Sequence, residues 1–96
     1  MDIEDIITAR VKAFVSIEVR KGTLLSHIGP KMGLPSATIT HLFNGTQKKP
    51  RISLVMGIIN KMGVDPLWLT GEIGTESNVI YLDRNYNSSQ GIEPNG

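Results

Sequence analysis

The stretch Gly33-Leu-Pro-Ser-Ala-Thr-Ile-Thr-His-Leu-Phe-Asn-Gly45 carries no Asp, Glu, Lys or Arg. Within it, Ser36, Thr38, Thr40 and His41 offer hydrogen-bonding atoms on short side chains, and Ala37 offers a small apolar contact. Asn44, Thr46, Gln47, Lys48, Lys49 and Arg51 follow at once. Such a set suits recognition more than bond making. Hydroxyls can donate to and accept from several base edges, and the methyl groups of Ala37 and Thr38 can meet the methyl of thymine. Cations and small donors on the flank suit phosphate oxygens, which fix position without reading sequence. A helix face of small residues can also pack on another helix, so the local pattern alone leaves both uses open.

The charge distribution favours the first. The 96-residue chain has a net charge of only +1, but no acidic residue lies between Glu18 and Asp65. That interval holds Arg20, Lys21, Lys31, Lys48, Lys49, Arg51 and Lys61. Residues 1–51 contain eight basic and four acidic residues, a balance of +4, and residues 52–96 contain two basic and five acidic, a balance of −3. A basic segment of this kind attracts phosphates. Catalysis is not expected. The acid-free interval offers no carboxylate pair, the chain has no cysteine, and neither His27 nor His41 stands at a metal-binding spacing. No cofactor and no metal are expected. No 18-residue apolar run and no basic, apolar leader occur, so a cytoplasmic protein without a membrane partner is expected.

The elements that must position these residues are helical. Ile3, Ile6, Ile7, Arg10, Val11, Phe14 and Val15 recur near a 3.6-residue period, which predicts a helix over 3–21 that Gly22 ends. Asp2 is expected to cap it, and Glu4 and Asp5 suit its positive end. A second, short helix is expected to start at an N-cap, Thr23, with Leu24, Ile28 and Met32 inward; Pro30 is expected to bend or shorten it. Its first-turn residues, Leu24, Leu25 and Ser26, present backbone amides that can face a phosphate. After Gly33, Pro35 begins a third helix with Ile39, Leu42 and Phe43 inward, closed by Asn44-Gly45. A fourth spans 52–62, with Ile52, Val55, Met56, Ile58, Ile59 and Met62 as its buried side. A fifth starts at Asp65-Pro66 and docks Leu67, Trp68 and Leu69 on the core. Val79, Ile80, Tyr81 and Leu82 alone read as a strand, and residues 86–96 read as a disordered tail.

Two short helices joined by a glycine-containing turn make a helix-turn-helix, whose second helix enters the major groove. The span from Thr23 to Glu72 resembles the lambda-repressor-like family, the Cro/C1 or XRE-type helix-turn-helix proteins. The likeness is carried by "MGLPSATITHLFNG" and by "GVDPLWLTG". The resemblance covers about residues 3–72 and implies an all-α, five-helix DNA-binding domain with its recognition helix at 35–43. By position it implies base contacts from Ser36, Ala37 and Thr40, and phosphate contacts from Asn44 and the Lys48–Lys49 loop. Gly29 matches the family's small residue at the helix crossing. Leu25 stands where many members carry a Gln that braces the recognition helix and touches phosphate. Pro30 also departs from the family pattern. The short chain is similar to small dimeric phage repressors of the phage P2 type, whose C-terminal segment pairs between subunits.

The expected organisation is therefore a DNA-binding domain over 1–72, a short β-strand-like dimerisation segment over 73–85 and a tail. The expected base contacts are Ser36, Ala37, Thr38, Thr40 and His41. Ser26, Asn44, Thr46, Gln47, Lys48, Lys49 and Arg51 are expected at phosphates, and Val79, Ile80, Tyr81 and Leu82 at the dimer contact. The functional expectation is a homodimeric phage or prophage repressor bound to double-stranded operator DNA, with a protein antagonist as a further partner. The alternative within DNA binding is an antitoxin that represses its own operon and binds a toxin. Outside it stands a protein-interaction module that uses the same small-residue face.

Overall fold

In the computed structural model the described residues are 2–82. The protein is all-α, with helices α1 (Ile3–Arg20), α2 (Leu25–Lys31), α3 (Ser36–Phe43), α4 (Ile52–Asn60) and α5 (Pro66–Leu69). Among the described residues there is no β-strand, only two isolated antiparallel bridges, Val64–Tyr81 and Thr75–Asn78. The strand expected over Val79–Leu82 is thus reduced to a single bridge within the chain. The tail expected over 86–96 lies outside the described residues. Among the described residues no helix is long and apolar enough to cross a membrane.

One core unites the helices. Val11, Phe14 and Val15 of α1, Ile28 of α2, Ile39 and Leu42 of α3, Leu54 and Ile58 of α4, Val64, and Trp68 and Leu69 of α5 are all essentially inaccessible. Trp68 is the largest of them, and its indole N–H donates to the Thr75 carbonyl at 2.8 Å, so burial leaves no orphaned donor. Arg10 occupies a seam position of α1 and is buried too. Its guanidinium donates to the carbonyls of Trp68 (3.1 Å), Ile73 (3.3 Å) and Gly74 (3.2 Å) and lies 5.1 Å from the Trp68 ring centroid. A buried cation is tolerated only when its donors are matched, and here one side chain ties α1 to the turn after α5.

Local chemistry sets the helix ends. The Asp65 carboxylate accepts from the Leu67 N–H at 2.9 Å, and Pro66 takes the first helical position, as the sequence predicts. Gly33 has φ +76°, with Leu34 N–H bonded to Gly29 O (2.9 Å) and Gly33 N–H to Pro30 O (3.0 Å). That pair of bonds is a Schellman ending, which needs a residue in the left-handed region.

Other expectations are corrected. Asp2 makes no side-chain cap bond. Thr23 is not the cap of α2; its N–H bonds to the Glu18 carbonyl and Leu24 takes the cap position. Leu24 is 62% exposed and not inward. Pro30 neither ends nor shortens α2, which continues to Lys31. The missing amide would have served the carbonyl of exposed Ser26, where water can replace it. Pro35 caps α3 and does not begin it, and Phe43 at its far end is exposed. In α4 the buried side is Leu54, Gly57 and Ile58, while Ile52 is 77% exposed and Met56 is also outward. Apolar residues surround nearly all of this helix, so periodicity does not single out one face. Leu67 is likewise exposed, because α5 is a single turn that can bury only the Trp68–Leu69 side.

Candidate nucleic-acid interface

Helices α2 and α3 pack more extensively on each other than any other pair. The reason lies at their crossing. A Cβ on Gly29 would stand 2.7 Å from the Pro35 carbonyl oxygen, so only glycine lets the two backbones approach this closely. The short turn Met32–Pro35 then aims α3 away from α2, with Ile39 and Leu42 anchored in the core. The opposite side of α3 is left open.

That open side carries the expected reading residues. Ser36, Ala37, Thr40 and His41 are exposed, and Thr38 is half-buried. The Thr40 hydroxyl donates back to the Ser36 carbonyl at 3.4 Å, so its remaining lone pairs and its methyl are what face outward. The Ser36 hydroxyl has no partner among the described residues and can turn either way.

The loop after α3 is held to it. Asn44 accepts from the Thr46 N–H at 2.9 Å through its side-chain oxygen, and the Gln47 N–H donates to the His41 carbonyl at 2.9 Å. Gln47 Oε1 in turn accepts from Arg51 Nε at 3.2 Å, and Arg51 caps α4. A shallow cleft of about 350 Å³ runs between α3 and this loop, lined by Ala37, Thr38, His41, Gln47, Arg51 and Ser53. The cleft thus brings Ala37, Thr38 and His41 of α3 together with Gln47 and Arg51, while Lys49 lines a different hollow beside Glu4. Ser26 lies on the exposed first turn of α2.

Three cations of the loop differ in state. Lys48 is exposed and has no ion-pair partner among the described residues. Lys49 is ion-paired with Glu4 of α1. Hydrogen bonding to the Glu4 carboxylate, and then its charge, hold the Lys49 ammonium above its ordinary pKa. Arg51 is braced by a neutral amide and keeps its full charge for a ligand. Sequence reasoning missed the Glu4–Lys49 pair, and no spacing rule links two residues 45 positions apart. Below this pair an apolar hollow is lined by Ile7, Pro50, Ile52 and Val55. Leu25 lines a different apolar hollow with Val15, Val19 and Phe43.

The four residues expected at a dimer contact do not join this surface. Val79 and Ile80 are half-buried against the core, and Tyr81 and Leu82 are exposed. Leu82 N–H bonds to Gly63 O at 2.8 Å and Asp65 N–H to Ile80 O at 2.9 Å. The Tyr81 ring lies 5.6 Å from Lys21 Nζ. Among the described residues no group of His, Asp and Glu could hold a metal ion. No known family model, curated protein or solved structure matches the chain.

Proposed function

We propose that the chain is a sequence-specific DNA-binding transcriptional regulator, a repressor of phage or prophage type that acts as a homodimer on an inverted-repeat operator. The observation that carries this reading is the exposed, uncharged side of α3, set beside a basic loop that is hydrogen-bonded to it. Short outer side chains let a helix approach base edges closely in the major groove, and phosphates on either side of the groove then meet the flanking donors. The order of the five helices, with the glycine-tight α2–α3 crossing, supports a lambda-repressor-like arrangement. In it Ser36, Ala37, Thr40 and His41 meet base edges, with Thr38 at the cleft. Ser26, Asn44, Thr46 and Lys48 grip phosphate.

The dimer contact in this reading uses Val79–Leu82. The two hydrogen bonds that flank the Val64–Tyr81 bridge turn the N–H and C=O of Tyr81 itself to the opposite side. An open edge of this kind accepts a second strand. Two subunits then place their recognition helices roughly 34 Å apart, one turn of DNA, and the bound dimer blocks polymerase.

Ser36→Glu tests the reading. A glutamate in the first turn suits the helix dipole, so α3 keeps its stability, but its charge faces the groove. The expected outcome is unchanged circular dichroism with loss of sequence-specific binding. Unchanged affinity for a selected duplex would overturn the assignment of α3.

A further inference from the structure

Resting on the DNA-binding reading, we infer that Arg51 reads a guanine edge in the major groove, with Gln47 as the residue that positions it. Arg51 was grouped with the phosphate contacts on sequence grounds, and its geometry differs from theirs. Its Nε is held at 3.2 Å by Gln47 Oε1. Both partners are pinned: the Gln47 N–H is bonded to the His41 carbonyl of α3, and the Arg51 carbonyl accepts the Leu54 and Val55 amides of α4. The guanidinium is thereby oriented, while neither terminal nitrogen has a partner among the described residues. Arg51 lines the same cleft as Ala37, Thr38 and His41 of α3.

A cation that only neutralises phosphate needs no such brace, and neither neighbouring lysine has one from an amide. A fixed fork with two free parallel donors is what the O6 and N7 acceptors of guanine require. The outer face of α3 also lacks any Arg, Lys, Asn or Gln. Hydroxyls, methyl groups and one imidazole discriminate bases weakly. Arg51 adds a bidentate reader that the outer face of α3 itself lacks.

The test selects binding sites from a randomised duplex pool with the full chain and with Arg51→Ala, Arg51→Lys, Gln47→Ala and Gln47→Glu. The wild type is expected to fix one guanine in each half-site, and replacing it to weaken binding about tenfold or more. Arg51→Ala and Arg51→Lys lose that preference, although the lysine keeps the charge. Gln47→Ala blunts it. Gln47→Glu retains it, because the acceptor remains, while weakening binding to every sequence. A uniform loss over all sequences in Arg51→Ala, restored by Arg51→Lys, would overturn the inference and make Arg51 a phosphate contact. A wild type that selects sites without a fixed guanine would also overturn it and leave the DNA reading intact. A wild type that selects nothing would overturn both.

Discussion

The Glu4–Lys49 pair bears directly on the proposed phosphate contacts. Lys49 belongs to the loop beside α3, yet its ammonium is engaged by a carboxylate from the start of α1. A phosphate that approaches must displace Glu4 and meets its negative charge. Glu4→Gln is therefore expected to raise affinity for all DNA sequences alike. It should also steepen the dependence of log affinity on log salt by roughly 0.9, the value of one further neutralised phosphate. Anisotropy titrations at several salt concentrations would measure both, and an unchanged slope would show that Lys49 does not reach DNA. Lys49 is protonated throughout the neutral range in either variant. Its raised pKa means that the contribution of the Lys49 charge is present at neutral pH and is lost as pH rises through that pKa. The contact itself could not be read from spacing. Arg10 could be, in part: an arginine at a seam position of a helix signals a buried cation, but its carbonyl partners come from more than 50 residues away.

At the scale of elements, what was legible was what is local. The glycine turn at Gly33 and the Asp65-Pro66 start depend on neighbouring residues only, and both stand as the sequence predicts. The exposed side of α3 was legible because Ile39 and Leu42 are its only strongly buried positions. The buried side of α4 was not, since Ile52, Leu54, Val55, Met56, Ile58 and Ile59 surround the helix and only packing chooses among them. The α2–α3 crossing turns on Gly29. Gly29→Ala must move the Pro35 carbonyl, and the strain is expected to lower stability by about 1–3 kcal/mol. Denaturant unfolding would register this, and an unchanged midpoint would mean that α3 shifts freely on α2. A shifted α3 would also weaken DNA binding, because its reading residues move as one.

The whole molecule is small, with a core of about a dozen side chains, and Val79–Ile80 completes it while Tyr81 stays outside. One edge of this segment is bonded to Gly63–Asp65, and the other has no backbone partner among the described residues. Tyr81→Asp places a charge at the open edge while an acid beside Lys21 keeps an in-chain partner. Sedimentation is expected to show a dimer for the wild type and a monomer for this variant; a variant that remains dimeric would put the interface elsewhere. In the proposed function the dimer matters because one recognition helix reads only a few base pairs, and operator selectivity needs two.

The central claim, sequence-specific DNA binding, is tested most directly with the purified full chain and DNA from beside its own gene, compared with a scrambled duplex at two salt concentrations. Tight binding to the first alone is expected, with a protected inverted repeat whose half-sites lie about one helical turn apart and an affinity that falls steeply with salt. Weak binding, equal on both duplexes, would contradict it and reduce the surface of α3 and its loop to a basic patch.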